Sequence, residues 1–239
     1  GHLFGSFPGT IYDPDITLTA TYGSFRVLSL VWLLAIWASF TASWNPETQR
    51  PDTLIVARRW RLGLTAAGLA LVGVFGMAWG PELGHRSTAE SIEEALGGRF
   101  EGERCVVIPP AELPRADAAR LAADCDFRVR RVEQVMGVRQ PAPITAYFFR
   151  SADEKRAQMG ASNTYIAKPW RREVYLQVRE WPHPVLFHEL AHVVAGNVGT
   201  GPFRIAGTLG GLLPSPAIIE GTAVAVAWEP RDGLTPHQW

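Results

Sequence analysis

Two long apolar runs near the start of the chain constrain its fold more than any other feature. Residues 27–44 and 62–81 contain no charged side chain, and each is close to the ~20 residues that a helix needs to cross a membrane. Tryptophans, which are enriched at membrane interfaces, lie near the ends of the runs: Trp44, Trp60 and Trp79. The runs predict two transmembrane helices within residues 27–81, in contact with lipid. The alternative is a pair of buried helices in a water-soluble core.

Arginine is concentrated between the two runs. The connecting segment, residues 45–61, carries four arginines: Arg50, Arg58, Arg59 and Arg61. Cytoplasmic loops of membrane proteins carry an excess of Lys and Arg. We therefore expect a multi-pass protein in which residues 45–61 are cytoplasmic. Residues 1–26 and everything after residue 81 would then lie on the exocytoplasmic side.

The charge balance and the two cysteines bear on partners and compartment. The chain has 23 basic and 23 acidic residues, and this lack of a basic excess argues against a nucleic-acid partner. Cys105 and Cys125 could form one disulfide in an exocytoplasmic domain. Two separate buried thiols would give the same pattern, and the sequence leaves both possibilities open.

The part of the chain after the apolar runs alternates between strand and helix patterns. Strands are predicted at residues 103–110, 144–149 and 173–178, from short β-branched or aromatic runs. Helices are predicted at residues 116–136, 151–159, 185–195 and 217–228. This pattern indicates an α+β fold with a small sheet and helices packed on it. Residues 82–140 are expected to form a linker and a helical subdomain, and residues 141–239 a second domain, truncated at its C-terminus.

The segment V-L-F-H-E-L-A-H-V-V-A-G, residues 185–196, places three ionisable side chains in an apolar helix. His188 and His192 are four residues apart, so they lie on the same helix face. This spacing lets both imidazoles bind one Zn²⁺ ion. Glu189 lies beside that face, where it can accept a proton from water activated by the ion. Two satisfied core histidines would be the structural alternative.

A zinc site needs a third protein ligand, and Glu220 is the candidate. It stands in the apolar segment A-I-I-E-G-T-A, residues 217–223, where a lone carboxylate calls for a cation. Asp232 and His237 are rivals, but they lie in a polar, proline-containing tail. An ordinary carboxylate at a helix terminus is the alternative for Glu220.

The combination of H188-E-L-A-H192 with a later helix bearing E220-G-T-A resembles the gluzincin metallopeptidases, the peptidase-MA-like group. The resemblance covers about residues 141–230. It implies a zincin-like fold, with two histidine ligands and the general base Glu189 on one helix and a third ligand on a second helix. It also implies a peptide or protein substrate held along an edge strand, a place that Val174, Tyr175 and Leu176 occupy here. The function implied is a membrane-anchored zinc peptidase.

The chain departs from the gluzincin pattern in two respects. The family often has an acidic residue just after the third ligand, where this chain has Ala223 and Val224. It also uses a Tyr or His to stabilise the oxyanion, and the sequence does not assign one here.

Two other functions compete with an anchored peptidase. An intramembrane protease is disfavoured because only about 10–12 apolar residues surround the motif, fewer than the ~20 of a span. A metal-binding membrane sensor or scaffold with an inactive peptidase-like domain stays open. A closed site with four protein ligands would favour the sensor, and an open coordination position would favour catalysis.

Overall fold

The structure is a computed structural model, and it describes residues 18–209 and 213–228. The chain divides into two compact units, one of residues 15–88 and one of residues 89–239 with residues 1–14. Their described parts are called here the hairpin unit (residues 18–88) and the α+β unit (residues 89–209 and 213–228). The predictions for Asp232, His237 and most of residues 1–26 lie outside the described residues.

The hairpin unit contains both apolar runs as long helices. Its helices are α1 (Ala20–Ser43), α2 (Thr53–Arg58) and α3 (Trp60–Ala78), with a small ladder of β1 (Trp44–Asn45) and β2 (Arg50–Pro51) in the connection. α1 and α3 are long and apolar enough to cross a membrane. Only 17% of the most apolar stretch of α1 and 11% of the most apolar stretch of α3 is buried. Most apolar side chains therefore face outward, unlike those of two helices in a soluble core.

Glycines on α3 allow the two long helices to pack closely. A Cβ atom at Gly73 would lie 2.6 Å from the ring of Trp32, and one at Gly76 would lie 2.5 Å from Leu28. Both distances are far below ordinary carbon contacts, so a larger residue at either position would displace the side chain of Trp32 or Leu28. Small residues at the interface are the usual way in which membrane helices approach each other.

The α+β unit is built on one five-stranded sheet. Its strands are β3 (Phe100–Glu101), β4 (Cys105–Ile108), β5 (Ile144–Phe149), β6 (Ile166–Lys168) and β7 (Glu173–Gln177), in the order β3-β4-β5-β7-β6. β4, β5 and β7 are parallel, and the outer strands β3 and β6 are antiparallel to their neighbours. The helices are α4 (Ala89–Leu96), α5 (Arg115–Met136), α6 (Ala152–Met159), α7 (Leu186–Ala195) and α8 (Pro216–Ala227). A two-stranded ladder, β8 (Thr208–Leu209) with β9 (Leu213–Pro214), precedes α8.

Side chains of the central strands alternate between two cores. On β5, Ile144, Ala146 and Phe148 pack with α5 and α7, whereas Tyr147 and Phe149 pack with α4 on the opposite face. This period of two is the pattern of a strand buried on both faces. The mixed α+β architecture expected from the sequence is therefore confirmed. β3, β4 and α5 belong to the same sheet and core as the later elements, so the structure shows no break at residue 140.

Two interactions join α5 to the β3–β4 connection. Cys105 and Cys125 form a disulfide, which settles the choice that the sequence left open. Next to it, the buried Asp126 carboxylate accepts hydrogen bonds from the backbone N–H groups of Glu103, Arg104 and Cys105, at 2.8–2.9 Å. A carboxylate that accepts several backbone N–H groups holds a turn firmly, and here it fixes the start of β4 against α5.

The prediction that residues 173–178 form the edge of the sheet is wrong. β6 pairs with β7 on the outer side, with Ile166 opposite Tyr175 and Ala167 opposite Val174. The main chain of Val174, Tyr175 and Leu176 is therefore engaged by β5 on one side and β6 on the other. Their side chains are buried as well. These three residues cannot bind a substrate strand, and the outermost described strand on that side is β6.

Candidate metal centre

The H-E-L-A-H motif, residues 188–192, lies on α7, a helix that is buried on most of its surface. Leu186, Leu190 and Val194 are fully buried in the main core, and they recur at the spacing of one helix face. Packing of this face against the sheet and α5 turns the opposite face outward. His188 and His192 lie on that outward face, and their side chains are 25% and 13% exposed.

His183 organises the start of α7. Its Nδ1 accepts hydrogen bonds from the backbone N–H groups of Val185 (3.3 Å) and Leu186 (3.1 Å), which lack partners within the helix. Its Nε2 donates to the carbonyl oxygen of Gln177 at the end of β7 (2.8 Å). The ring is fully buried, and burial lowers its pKa to about 4. The neutral ring of His183 thus links the N-terminus of α7 to the end of β7 in the central sheet.

α8 brings the third candidate ligand to the same place. Glu220 Oε2 lies 3.1 Å from His188 Nε2 and 3.6 Å from His192 Nε2. The two imidazole Nε2 atoms are 3.1 Å apart. The three donor atoms therefore form a nearly equilateral triangle. Among the described residues, no fourth His, Cys, Asp or Glu belongs to this cluster.

The triangle has the dimensions of a metal site. A tetrahedral zinc ion with bonds of about 2.0 Å holds its ligand atoms roughly 3.3 Å apart, and the three separations bracket that value. Imidazole and carboxylate are also the donors that such ions prefer. The residues present therefore fit a small divalent ion, bound by His188, His192 and Glu220 with one side left open.

Electrostatics at the cluster favour positive charge. Hydrogen bonds from His188 and His192 hold the pKa of the Glu220 carboxyl well below its usual range. Burial lowers the pKa of His188, but its hydrogen bond to Glu220 and the negative charges of Glu189 and Glu220 outweigh burial, so its pKa lies above its ordinary value. The negative charges of Glu189 and Glu220 thus favour a positive charge at this place, which a divalent cation would supply.

Glu189 faces the same cleft without belonging to the ligand triangle. The residue is 7% exposed, and burial raises the pKa of its carboxyl, while the neighbouring histidines lower it. The cleft has a volume of about 830 Å³ and is lined by the triangle, by Glu189 and by Tyr165–Ala167 around β6.

The structure brings four of the predicted site residues together and separates three. His188, Glu189, His192 and Glu220 line one cleft, whereas Val174, Tyr175 and Leu176 are buried in the sheet. Sequence reasoning missed β6, because a three-residue strand followed by Pro169 gives almost no periodic signal. It also missed the capping role of His183, although a polar residue just before an apolar helix is a usual capping signal.

Comparison with known proteins identified no relative. No protein-family model, no curated protein and no solved structure matches the chain.

Proposed function

We propose that this chain is a membrane-anchored zinc peptidase of the gluzincin type. The observation that carries the proposal is the convergence of His188, His192 and Glu220 into a ligand triangle, with Glu189 beside it in an open cleft. The open side favours catalysis over a purely structural or sensing site, because structural zinc sites are closed by four protein ligands.

The chain's own residues would divide the chemistry as follows. His188, His192 and Glu220 would hold the metal ion, which would supply a Lewis acid for the scissile carbonyl and for a water molecule. Glu189 would take a proton from the attacking water while the water oxygen forms a bond to the carbonyl carbon. When the C–N bond breaks, Glu189 passes that proton to the leaving amine. Burial of Glu189 supports this role, because burial raises the pKa of its carboxyl and makes the carboxylate a stronger base towards water.

The outer edge of β6 is the proposed binding site for the substrate backbone. Ile166 and Ala167 line the cleft, and β6 is the last strand of the sheet within the described residues. An extended peptide can add to such an edge through main-chain hydrogen bonds. This assignment replaces the one predicted for β7.

The proposed placement in the cell rests on two independent features. The apolar helices α1 and α3 would span the membrane, with the arginine-rich residues 45–61 in the cytoplasm. The α+β unit would then lie outside the cytoplasm. The disulfide between Cys105 and Cys125 supports this side, because disulfides persist in oxidising compartments and are rare in the cytosol.

Removal and restoration of the metal tests the proposed function. The full chain in detergent micelles is expected to cleave members of a synthetic peptide library, read by mass spectrometry. Treatment with a zinc chelator should abolish cleavage, and one equivalent of Zn²⁺ should restore it, because the triangle selects imidazole-binding ions. Mg²⁺ and Ca²⁺, which prefer oxygen ligands, are the matched controls and should not restore it. Cleavage that survives chelation would contradict the proposal.

A further inference from the structure

The cleft that contains the ligand triangle also contains one arginine. Arg179 lines it, whereas the other lining residues apart from the triangle and Glu189 are apolar or uncharged. Arg179 lies two residues after the end of β7, at the carboxyl end of the parallel strands β4, β5 and β7. Ligands of sheets with parallel strands commonly bind beyond these carboxyl ends. The residue therefore stands where a substrate group would be recognised.

The guanidinium of Arg179 is held in one orientation by a buried amide. Its Nη2 donates to Oε1 of Gln177 at 2.9 Å. Gln177 is only 2% exposed, and its Nε2 donates in turn to the carbonyl oxygen of Ser162 at 2.6 Å. One N–H of the fork is thus used for orientation. The remaining donors of the guanidinium stay available, since arginine carries five of them.

Arg179 differs from the paired arginines of the same unit. Arg171 forms an ion pair with Glu173 at 2.7 Å, and Arg130 forms one with Glu103 at 2.8 Å. Within the described part of the chain, Arg179 makes no ion pair with a carboxylate. Arg179 therefore lines the cleft with a guanidinium that has no carboxylate partner. Such a group can bind a carboxylate of the substrate, because its parallel N–H groups match the two carboxylate oxygens.

We infer that the cleft selects peptide substrates that carry a carboxylate, which Arg179 binds. The inference rests on the proposed peptidase function and names the class of substrate for that site. The carboxylate has two sources, the C-terminus of the peptide or the side chain of an Asp or Glu residue. Arg179 acts here as a specificity-determining residue and takes no part in the bond-breaking step.

Binding of matched inhibitors to the zinc-loaded full chain tests the inference. The probes are peptide hydroxamates, which bind zinc directly. One series moves a single aspartate along the peptide, each member paired with its asparagine version, and a second series pairs a C-terminal acid with the amide. We expect one pair to differ in Kd by about 10-fold or more in favour of the carboxylate. The series in which this pair falls identifies the source of the carboxylate.

Variants of Arg179 supply the decisive comparison. Arg179→Gln should reduce the preference for the carboxylate probe to less than about 2-fold. Arg179→Lys should retain part of this preference, because lysine keeps the charge but cannot bind a carboxylate through two parallel N–H groups. Arg179→Glu should bind a lysine-bearing probe more tightly, because the charge is reversed. Arg139→Gln, which removes an exposed arginine outside the cleft lining, should leave the preference unchanged. Equal Kd values in every wild-type pair, or a preference that survives Arg179→Gln, would overturn the inference. Failure of the proposed function would instead appear as loss of zinc and of all hydroxamate binding, whatever the probe's charge, and it would overturn both.

Discussion

Replacement of Glu189 by glutamine is expected to lower kcat/KM for peptide hydrolysis by about 10²–10⁴-fold, the usual contribution of a general base. Glutamine has nearly the same shape as glutamate but cannot accept a proton from water. Since Glu189 is not part of the ligand triangle of His188, His192 and Glu220, the variant should still bind one metal ion per chain. Loss of activity with retention of metal is the signature that separates a base from a ligand.

Glu180→Gln is the matched control for this variant. Glu180 is an exposed glutamate close in the chain that does not line the cleft, so its replacement should leave kcat/KM unchanged. Peptide cleavage and bound metal are measured on the same purified samples. Normal cleavage by Glu189→Gln would show that another group activates the water. Loss of metal in that variant would show that Glu189 is a ligand.

The second large effect is a loss of stability at low pH, which we expect from His183 at the start of α7. Burial holds the pKa of His183 at about 4, against about 6.5 in an unfolded chain. This lowered pKa includes the opposing effect of the hydrogen bond to the Gln177 carbonyl and smaller contributions from the positive charges of Arg128 on α5 and Arg179. The rings of Phe148 and Tyr165 pack against the imidazole. Between these two pKa values the unfolded state binds more protons than the folded state. The free energy of unfolding should therefore fall by about 3 kcal/mol as the pH drops from 6.5 to 4.

Comparison with His183→Asn isolates this contribution from that of the carboxyl groups. Asparagine can still accept a hydrogen bond at the helix start but does not titrate, so the stability advantage of the wild type should shrink as the pH falls. Hydrogen exchange of β5 amides, corrected for intrinsic rates at each pH, measures stability in the α+β unit alone. Val132→Ala, a truncation in the buried core, should cost the same at every pH. A constant difference between wild type and His183→Asn would refute a buried neutral ring.

The parts of the site that lie within one helix were predictable from the sequence. The spacing of His188 and His192 fixes their common face through helix geometry alone, and the structure has both rings on the cleft side. The position of Glu220 required a fold, since α8 approaches α7 only through tertiary packing. Its apolar neighbours in the sequence nevertheless singled it out, although its side chain is 58% exposed in the structure.

Long-range features of the site were not predictable from local patterns. The sequence of β7 predicts a strand with alternating side chains. It does not predict that β6 pairs with the outer edge of β7, because β6 is too short to give a recognisable strand pattern. Arg179 looks like any exposed arginine in the sequence. Its orientation depends on the buried amide of Gln177 and, through it, on Ser162. Such contacts depend on how loops and strands pack in three dimensions, so single-sequence periodicity carries no information about them.

The metal content of the purified full chain tests the central claim most directly. Elemental analysis after exhaustive dialysis should find one zinc ion per chain in the wild type. Single replacements of His188, His192 or Glu220 by alanine should each lower that value sharply, because two remaining ligands bind zinc far more weakly than three. Glu180→Ala should retain the wild-type value. A wild-type chain without zinc, or unchanged zinc in His188→Ala, would contradict the account.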